Sequence, residues 1–141
     1  QPLPEAPIVF DVGANIGLFA LWALREWPGA RVICFEPVPP IVAVLRRNLL
    51  AAGALGPEPA AAVVTAALGA TSGEADFDYF PAAPGESTRH PEEAAAQRDV
   101  LAREASSAGL QDPRPSGVAP QRHRSRVRTL SEALQVLGAS G

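Results

Sequence analysis

The sequence predicts an α/β fold in which a parallel sheet carries helices on both faces. Short apolar runs recur at residues 8–12 and 31–36, the pattern of strands buried on both sides. Segments with apolar residues at helical spacing follow each run, and each segment closes at glycine or proline. The resulting order of strand, helix, strand, helix, strand favours right-handed crossovers and parallel pairing.

Residues 8–12 read Ile-Val-Phe-Asp-Val and end at Gly13, so a turn is expected over 13–17. From about 16 to 27 the chain is apolar almost all round (Ile16, Leu18, Phe19, Leu21, Trp22, Leu24, Trp27), which predicts a well-buried helix stopped by Pro28-Gly29. Its two tryptophans are expected to supply much of the core. Residues 31–36 form the second strand. After Pro37, Pro39 and Pro40, residues 41–52 place Ile41, Val44, Leu45 and Leu49 at helical spacing, and Gly53 suits a left-handed helix end. Residues 61–68 are a third strand, weakened by alanine.

The pattern then changes. Residues 74–80 alternate, with Phe77 and Tyr79 on one face and Asp76 and Asp78 on the other, as in a half-exposed strand. Residues 81–91 read as a polar loop, and 92–108 as either a helix or a mobile insertion. Residues 106–120 have the composition of a flexible linker. The stretch of about 81–125 is read as a flexible or partly helical insertion, and the fold as carrying a β-hairpin insertion. A strand at 126–130 follows, and Thr129 with Glu132 forms a capping-box signal for a short helix to Leu137.

With 141 residues the chain fits one domain, and with 47% hydrophobic residues it can bury a core, although much of that share is alanine. Its 15 prolines and 12 glycines gather outside the strongly patterned parts, which fits ordered structure broken by insertions. A net charge of −3 gives no reason to expect a nucleic-acid or membrane surface. No apolar stretch approaches the roughly 20 residues that span a bilayer. Cys34 is the sole cysteine and sits in an apolar run, so it reads as a small core residue, and a cytosolic setting fits. The absence of methionine suggests a segment of a longer chain.

The informative segment is Phe10-Asp11-Val12-Gly13-Ala14-Asn15-Ile16-Gly17. A strand running through a glycine turn into a helix brings backbone close to a nucleotide-like ligand and turns helix amides towards it. Asn15 fits, because asparagine tolerates positive φ. A dinucleotide fingerprint would hold a glycine where Asn15 stands. Asp11 would repel a pyrophosphate, but would attract the ammonium of S-adenosylmethionine, a cationic ligand without phosphate. Glu36, at the end of the second strand, can accept hydrogen bonds from two ribose hydroxyls. The plain structural alternative is that Asp11 and Asn15 cap the helix and Glu36 is a solvated strand end.

FDVGANIG, CFEPVPP and a helix ending Leu45-Arg46-Arg47-Asn48-Leu49 resemble the opening of FkbM-type methyltransferases. Looser matches follow at Ala67-Leu68-Gly69, Gly73-Glu74, FDYFPAAPGEST and Val127-Arg128-Thr129-Leu130. The resemblance implies a Rossmann-like class I methyltransferase fold that moves the methyl group of S-adenosylmethionine to a hydroxyl. The acceptor would be a polyketide, glycan or related metabolite, free or carrier-bound. It also implies that Asp11, Gly13, Ala14, Asn15 and Gly17 line the methionine and ribose. Glu36 would hold the ribose hydroxyls, Pro37 would shape that turn, and Ala67 and Leu68 would contact adenine. Residues 84–88 could border the acceptor, or be surface loop. Family members continue into a strand bearing Lys-x-Asp-x-Glu-Gly, which is absent here. The sheet is therefore expected to be incomplete, completed by the rest of a parent chain, and the segment inactive alone.

His90 and His123 are read as surface histidines, and no metal site is expected. Arg122, Arg124, Arg126 and Arg128 alternate, which places four guanidinium groups on one face of an extended segment. No catalytic base is assigned. Two other readings stay open: a nicotinamide- or flavin-dependent oxidoreductase, and a degenerate methyltransferase-like interaction module.

Overall fold

A computed structural model describes residues 6–81 and 119–138, together with 100, 103, 106 and 107. The elements run β1 (Ile8–Val12), α1 (Leu18–Glu26), β2 (Arg31–Phe35), α2 (Pro39–Ala51), β3 (Ala61–Val64), β4 (Ala67–Leu68), β5 (Gly73–Tyr79), β6 (Gln121–Arg128) and α3 (Leu130–Gly138). The chain divides into two compact units, residues 1–75 with 125–141, and residues 76–124.

The first unit holds a parallel sheet ordered β1-β2-β3. Ile8 pairs with Arg31 and Val12 with Phe35, while Val32 pairs with Ala61 and Phe35 with Val64. Side chains alternate across β2 and build two cores. Val32 and Cys34 pack with Ala20 and Ala23 of α1 and Leu45 and Leu49 of α2. Ile33 and Phe35 pack with Ala133 of α3, flanked by Phe10, Ala62, Val64 and Leu68. Helices thus cover both faces of an incomplete Rossmann-like sheet, and burying chains of this size contributes roughly 1.5–3 kcal/mol each.

The expected burial of α1 needs correction. Only Ala20 and Ala23 are buried, while Leu18 is 70% and Trp22 49% exposed. Small residues let the helix approach the sheet; Leu21, Leu24 and Trp27 are half-buried and pack against that core, while Leu18, Phe19 and Trp22 are exposed. Trp22 stacks edge-on against Trp27, with ring centroids 5.2 Å apart. α2 begins earlier than its periodicity implied. Pro39 and Pro40 take the first helical positions, where no backbone amide is needed and φ is already suitable. Gly53 is left-handed after the helix, as expected.

The run 61–68, read as one strand, is two. It breaks at Thr65-Ala66, where the Ala66 amide donates back to the Val64 carbonyl, and β4 joins a second sheet ordered β4-β6-β5. On the outer edge of β3, Arg46 donates to the Val63 carbonyl at 3.1 Å. β6 starts five residues before the expected strand. Its arginines do alternate, with Arg122, Arg124 and Arg126 exposed, Ser125 and Val127 buried, and Arg128 half-buried. Asp78, assigned by alternation to a solvent face, is buried and pairs with Arg122 at 3.0 Å. His123 is half-buried, its ring edge-on to Tyr79, rather than at the surface. The capping box forms at α3: the Glu132 amide donates to Thr129 Oγ1, and Glu132 accepts from the Thr129 amide. His90, the 84–88 loop and most of 92–118 lie outside the described residues. No described helix is long and apolar enough to cross a membrane.

Candidate functional site

The carboxyl ends of β1 and β2 meet at the turn over residues 13–17. Gly13 (φ 76°), Asn15 (φ 50°) and Gly17 (φ 91°) all adopt the left-handed region, a conformation costly for ordinary side chains. Gly17 is required twice over, because a Cβ there would stand 2.7 Å from Leu45 Cδ1. A Cβ on Gly13 would meet nothing within 4 Å, so its surroundings are open.

Four of the five backbone donors of this turn, those of Gly13, Ala14, Asn15 and Gly17, are spent inside the protein. The amides of Gly13 and Ala14 both donate to the Phe35 carbonyl, at 2.9 and 3.0 Å, and that of Gly17 donates to Ala14. The Asn15 amide donates to Glu36 Oε2 at 3.0 Å. The expectation that turn amides face the ligand therefore fails for these four residues, because the end of β2 takes three of them. Two buried acceptors remain open. Asp11 Oδ2 and Asn15 Oδ1 are shielded from solvent and lack a hydrogen-bond partner. A buried polar atom without a partner costs about 1–3 kcal/mol, so such atoms mark a ligand position or strain.

Asp11 is 8% exposed. Burial raises its carboxyl above the usual range, and the Ala20 backbone amide in the first turn of α1 offsets part of that rise. No side-chain hydrogen bond caps α1 at its N-cap residue, Gly17, and Asp11 Oδ2 is unused. Glu36 is buried and not a solvated strand end. Its Oε1 accepts from the Val38 amide at 3.0 Å. Burial again pushes its carboxyl up, the Val38 and Asn15 amides pull it down, and the Asp11 charge adds to the rise. Each Glu36 oxygen keeps a second lone pair for a hydroxyl donor. Two buried carboxylates with no basic partner among the described residues form a strong local preference for a cation.

Cys34 carries no such role. It is buried between these layers, and burial with the nearby Asp11 charge pushes its thiol up to about 12. Pro37 follows Glu36 and leads into α2. Ala67 and Leu68 lie just past Val64, whose carbonyl accepts the Glu36 amide at 3.2 Å. Two residues that pattern reading passed over complete the frame. Asn48 of α2 donates to the Ile16 carbonyl at 2.8 Å, and Ser125 of β6 donates to the Pro37 carbonyl at 2.5 Å. Asn48 left a signal as a lone amide beside an apolar stripe. Ser125 left none, because its partner is 88 residues away.

The arrangement suits a ligand that brings donors and positive charge and no phosphate.

Comparison with known proteins finds methyltransferases among the relatives of this chain. The chain is 43% identical over 91 residues to the methyltransferase sdnD of Sordaria araneosa, covering 64% of this chain and 34% of that protein. It is 40% identical over 99 residues to the 31-O-demethyl-FK506 methyltransferase FkbM of Streptomyces tacrolimicus, covering 70% of this chain and 36% of that one. The AMB antimetabolite synthetase AmbE of Pseudomonas aeruginosa is 33% identical over 151 residues, 96% of this chain but 7% of its own length. The chain thus spans about a third of the methyltransferases it matches. No protein-family model and no solved structure matches it.

Proposed function

The chain is related to methyltransferases of the FkbM type, and we propose that it forms the S-adenosylmethionine-binding part of an enzyme that methylates a hydroxyl on a small metabolite. The observation that carries this reading is the division of labour in the turn: the amides of Gly13, Ala14, Asn15 and Gly17 are engaged internally while Asp11 Oδ2 and Asn15 Oδ1 stay open. Such a site selects a ligand rich in donors and positive charge. Bound there, the sulfonium supplies an electrophilic methyl group. Asp11 would hold the ammonium, and Glu36 the ribose hydroxyls. The turn of Gly13, Ala14, Asn15 and Gly17 would line the ligand, with Pro37 fixing the neighbouring turn and Ala67 and Leu68 bordering adenine.

Oxygen as the acceptor atom is supported by the name of the Streptomyces relative. The match inside a protein named as an antimetabolite synthetase supports a small-metabolite acceptor. The polypeptide that the relatives carry beyond this stretch would complete the sheet along β1, where Ile8 and Val12 are exposed. A nicotinamide or flavin reading is disfavoured by the same engaged amides, which leave a pyrophosphate few donors. A non-catalytic module would keep the fold without keeping ligand affinity.

Isothermal titration of the chain with S-adenosylhomocysteine and with NAD tests the reading. Binding of the first and not the second is expected, and Asp11→Asn should weaken it by about ten- to a hundredfold by removing a poorly solvated charge. NAD binding without S-adenosylhomocysteine binding would overturn it.

A further inference from the structure

We infer that Ser125 is a positioning residue for the nucleoside part of the ligand, a role that rests on the adenosyl reading above. Glu36 presents its carboxylate from a three-residue turn, Glu36-Pro37-Val38. One anchor of that turn is the Glu36 amide on the Val64 carbonyl at 3.2 Å. A second is Glu36 Oε1 on the Val38 amide at 3.0 Å. A third is the Asn15 amide on Glu36 Oε2 at 3.0 Å, and these three come from the turn itself, the neighbouring strand or the adjoining loop. The fourth anchor comes from far along the chain: the hydroxyl of Ser125, a buried residue, donates to the Pro37 carbonyl at 2.5 Å. Pro37 has no amide to offer, so its carbonyl is the only backbone group through which the centre of the turn can be held.

The same strand also grips the opposite flank of the nucleoside region. Val127 pairs with Ala67 and Arg128 with Leu68, and the Gly69 amide donates to the Arg128 carbonyl at 2.9 Å. Gly69 has no Cβ, and one placed there would stand 2.7 Å from Val127 Cγ1, so β6 lies tight against this segment. Residues 125–128 therefore brace the Pro37 turn and the Ala67–Leu68 strand together. Losing the hydroxyl would free the Pro37 carbonyl and let the Glu36 carboxylate rotate with its turn, while leaving the β4 pairing intact.

This role predicts a specific readout. In the unaltered chain, replacing S-adenosylhomocysteine by its 2′,3′-dideoxy form should cost about tenfold or more in affinity, since Glu36 loses its hydroxyl donors. In Ser125→Ala that penalty should shrink to about threefold or less, and Ser125→Thr, which keeps the hydroxyl, should restore it. Leu49→Val, a core change away from the turn, should lower the melting temperature without changing the ratio. If Ser125→Ala does not fold, Ser125→Cys keeps the volume with a weaker donor and should show the same reduced penalty. An unchanged penalty in the folded Ser125 variants overturns the inference while sparing the adenosyl reading. Failure of the unaltered chain to bind S-adenosylhomocysteine overturns both.

Discussion

The Glu36 carboxylate accepts the Asn15 backbone amide at 3.0 Å, tying the end of the second strand to the turn that follows the first. Its other oxygen takes the Val38 amide, so one side chain organises two loops. Glu36→Gln replaces one acceptor by a donor that faces a backbone amide. The expected cost is about 1–3 kcal/mol of stability, together with loss of S-adenosylhomocysteine affinity. Urea denaturation paired with titration checks both, and a variant of full stability would show that the two amide contacts are energetically idle.

Acidification should act on folding and on ligand binding with opposite signs. Burial raises the carboxyls of Asp11 and Glu36 above their ordinary values. The folded chain therefore holds protons that the unfolded chain has released, and stability falls as pH rises through the raised folded values. Lowering the pH through the same window restores stability but neutralises the charges that attract a cationic ligand. Melting temperature and S-adenosylhomocysteine affinity, measured from about pH 8 down to pH 4, should diverge as both groups protonate. Parallel curves would remove these carboxylates from the site.

The two glycines of the turn should not tolerate alanine equally. Both have positive φ, which costs an L-residue about 1–2 kcal/mol. At Gly17 a Cβ also collides with Leu45, whereas at Gly13 it enters open space. Gly17→Ala should therefore be the more destabilising by urea denaturation. Gly13→Ala should fold but bind S-adenosylhomocysteine more weakly. The reverse order of stability would contradict the packing of α2 against the turn.

Cys34 should be inert in the native state. Its thiol is fully buried and pushed up to about 12, so almost no thiolate is present near neutral pH. Modification by a thiol-specific disulfide reagent should proceed only at the rate of unfolding and reach completion in urea. Rapid native reaction would mean that β2 opens locally.

Much of this protein was legible along the chain, because the informative patterns are local. The doubly apolar runs of β1 and β2, the glycine turn, the left-handed Gly53 and the Thr129–Glu132 capping box each depend on residues a few positions apart. Asp11 and Glu36 could be picked out for the same reason, each standing at the end of a strand that its own side chains identify.

Tertiary structure decided what depends on distant partners. Helical periodicity could not tell which side of α1 would be buried, because every side looked apolar; the sheet fully buried Ala20 and Ala23, took Leu21 and Leu24 in part, and left Trp22 outside. The run 61–68 split because β6, arriving from beyond residue 120, offered Ala67 and Leu68 a different partner strand. Engagement of the turn amides by Phe35 and Glu36, and the grip of Ser125 on Pro37, exist only once strands from separate parts of the chain lie side by side. A residue's type announces which hydrogen bonds it can make, but folding alone determines which are already satisfied within the protein and which are left for a ligand.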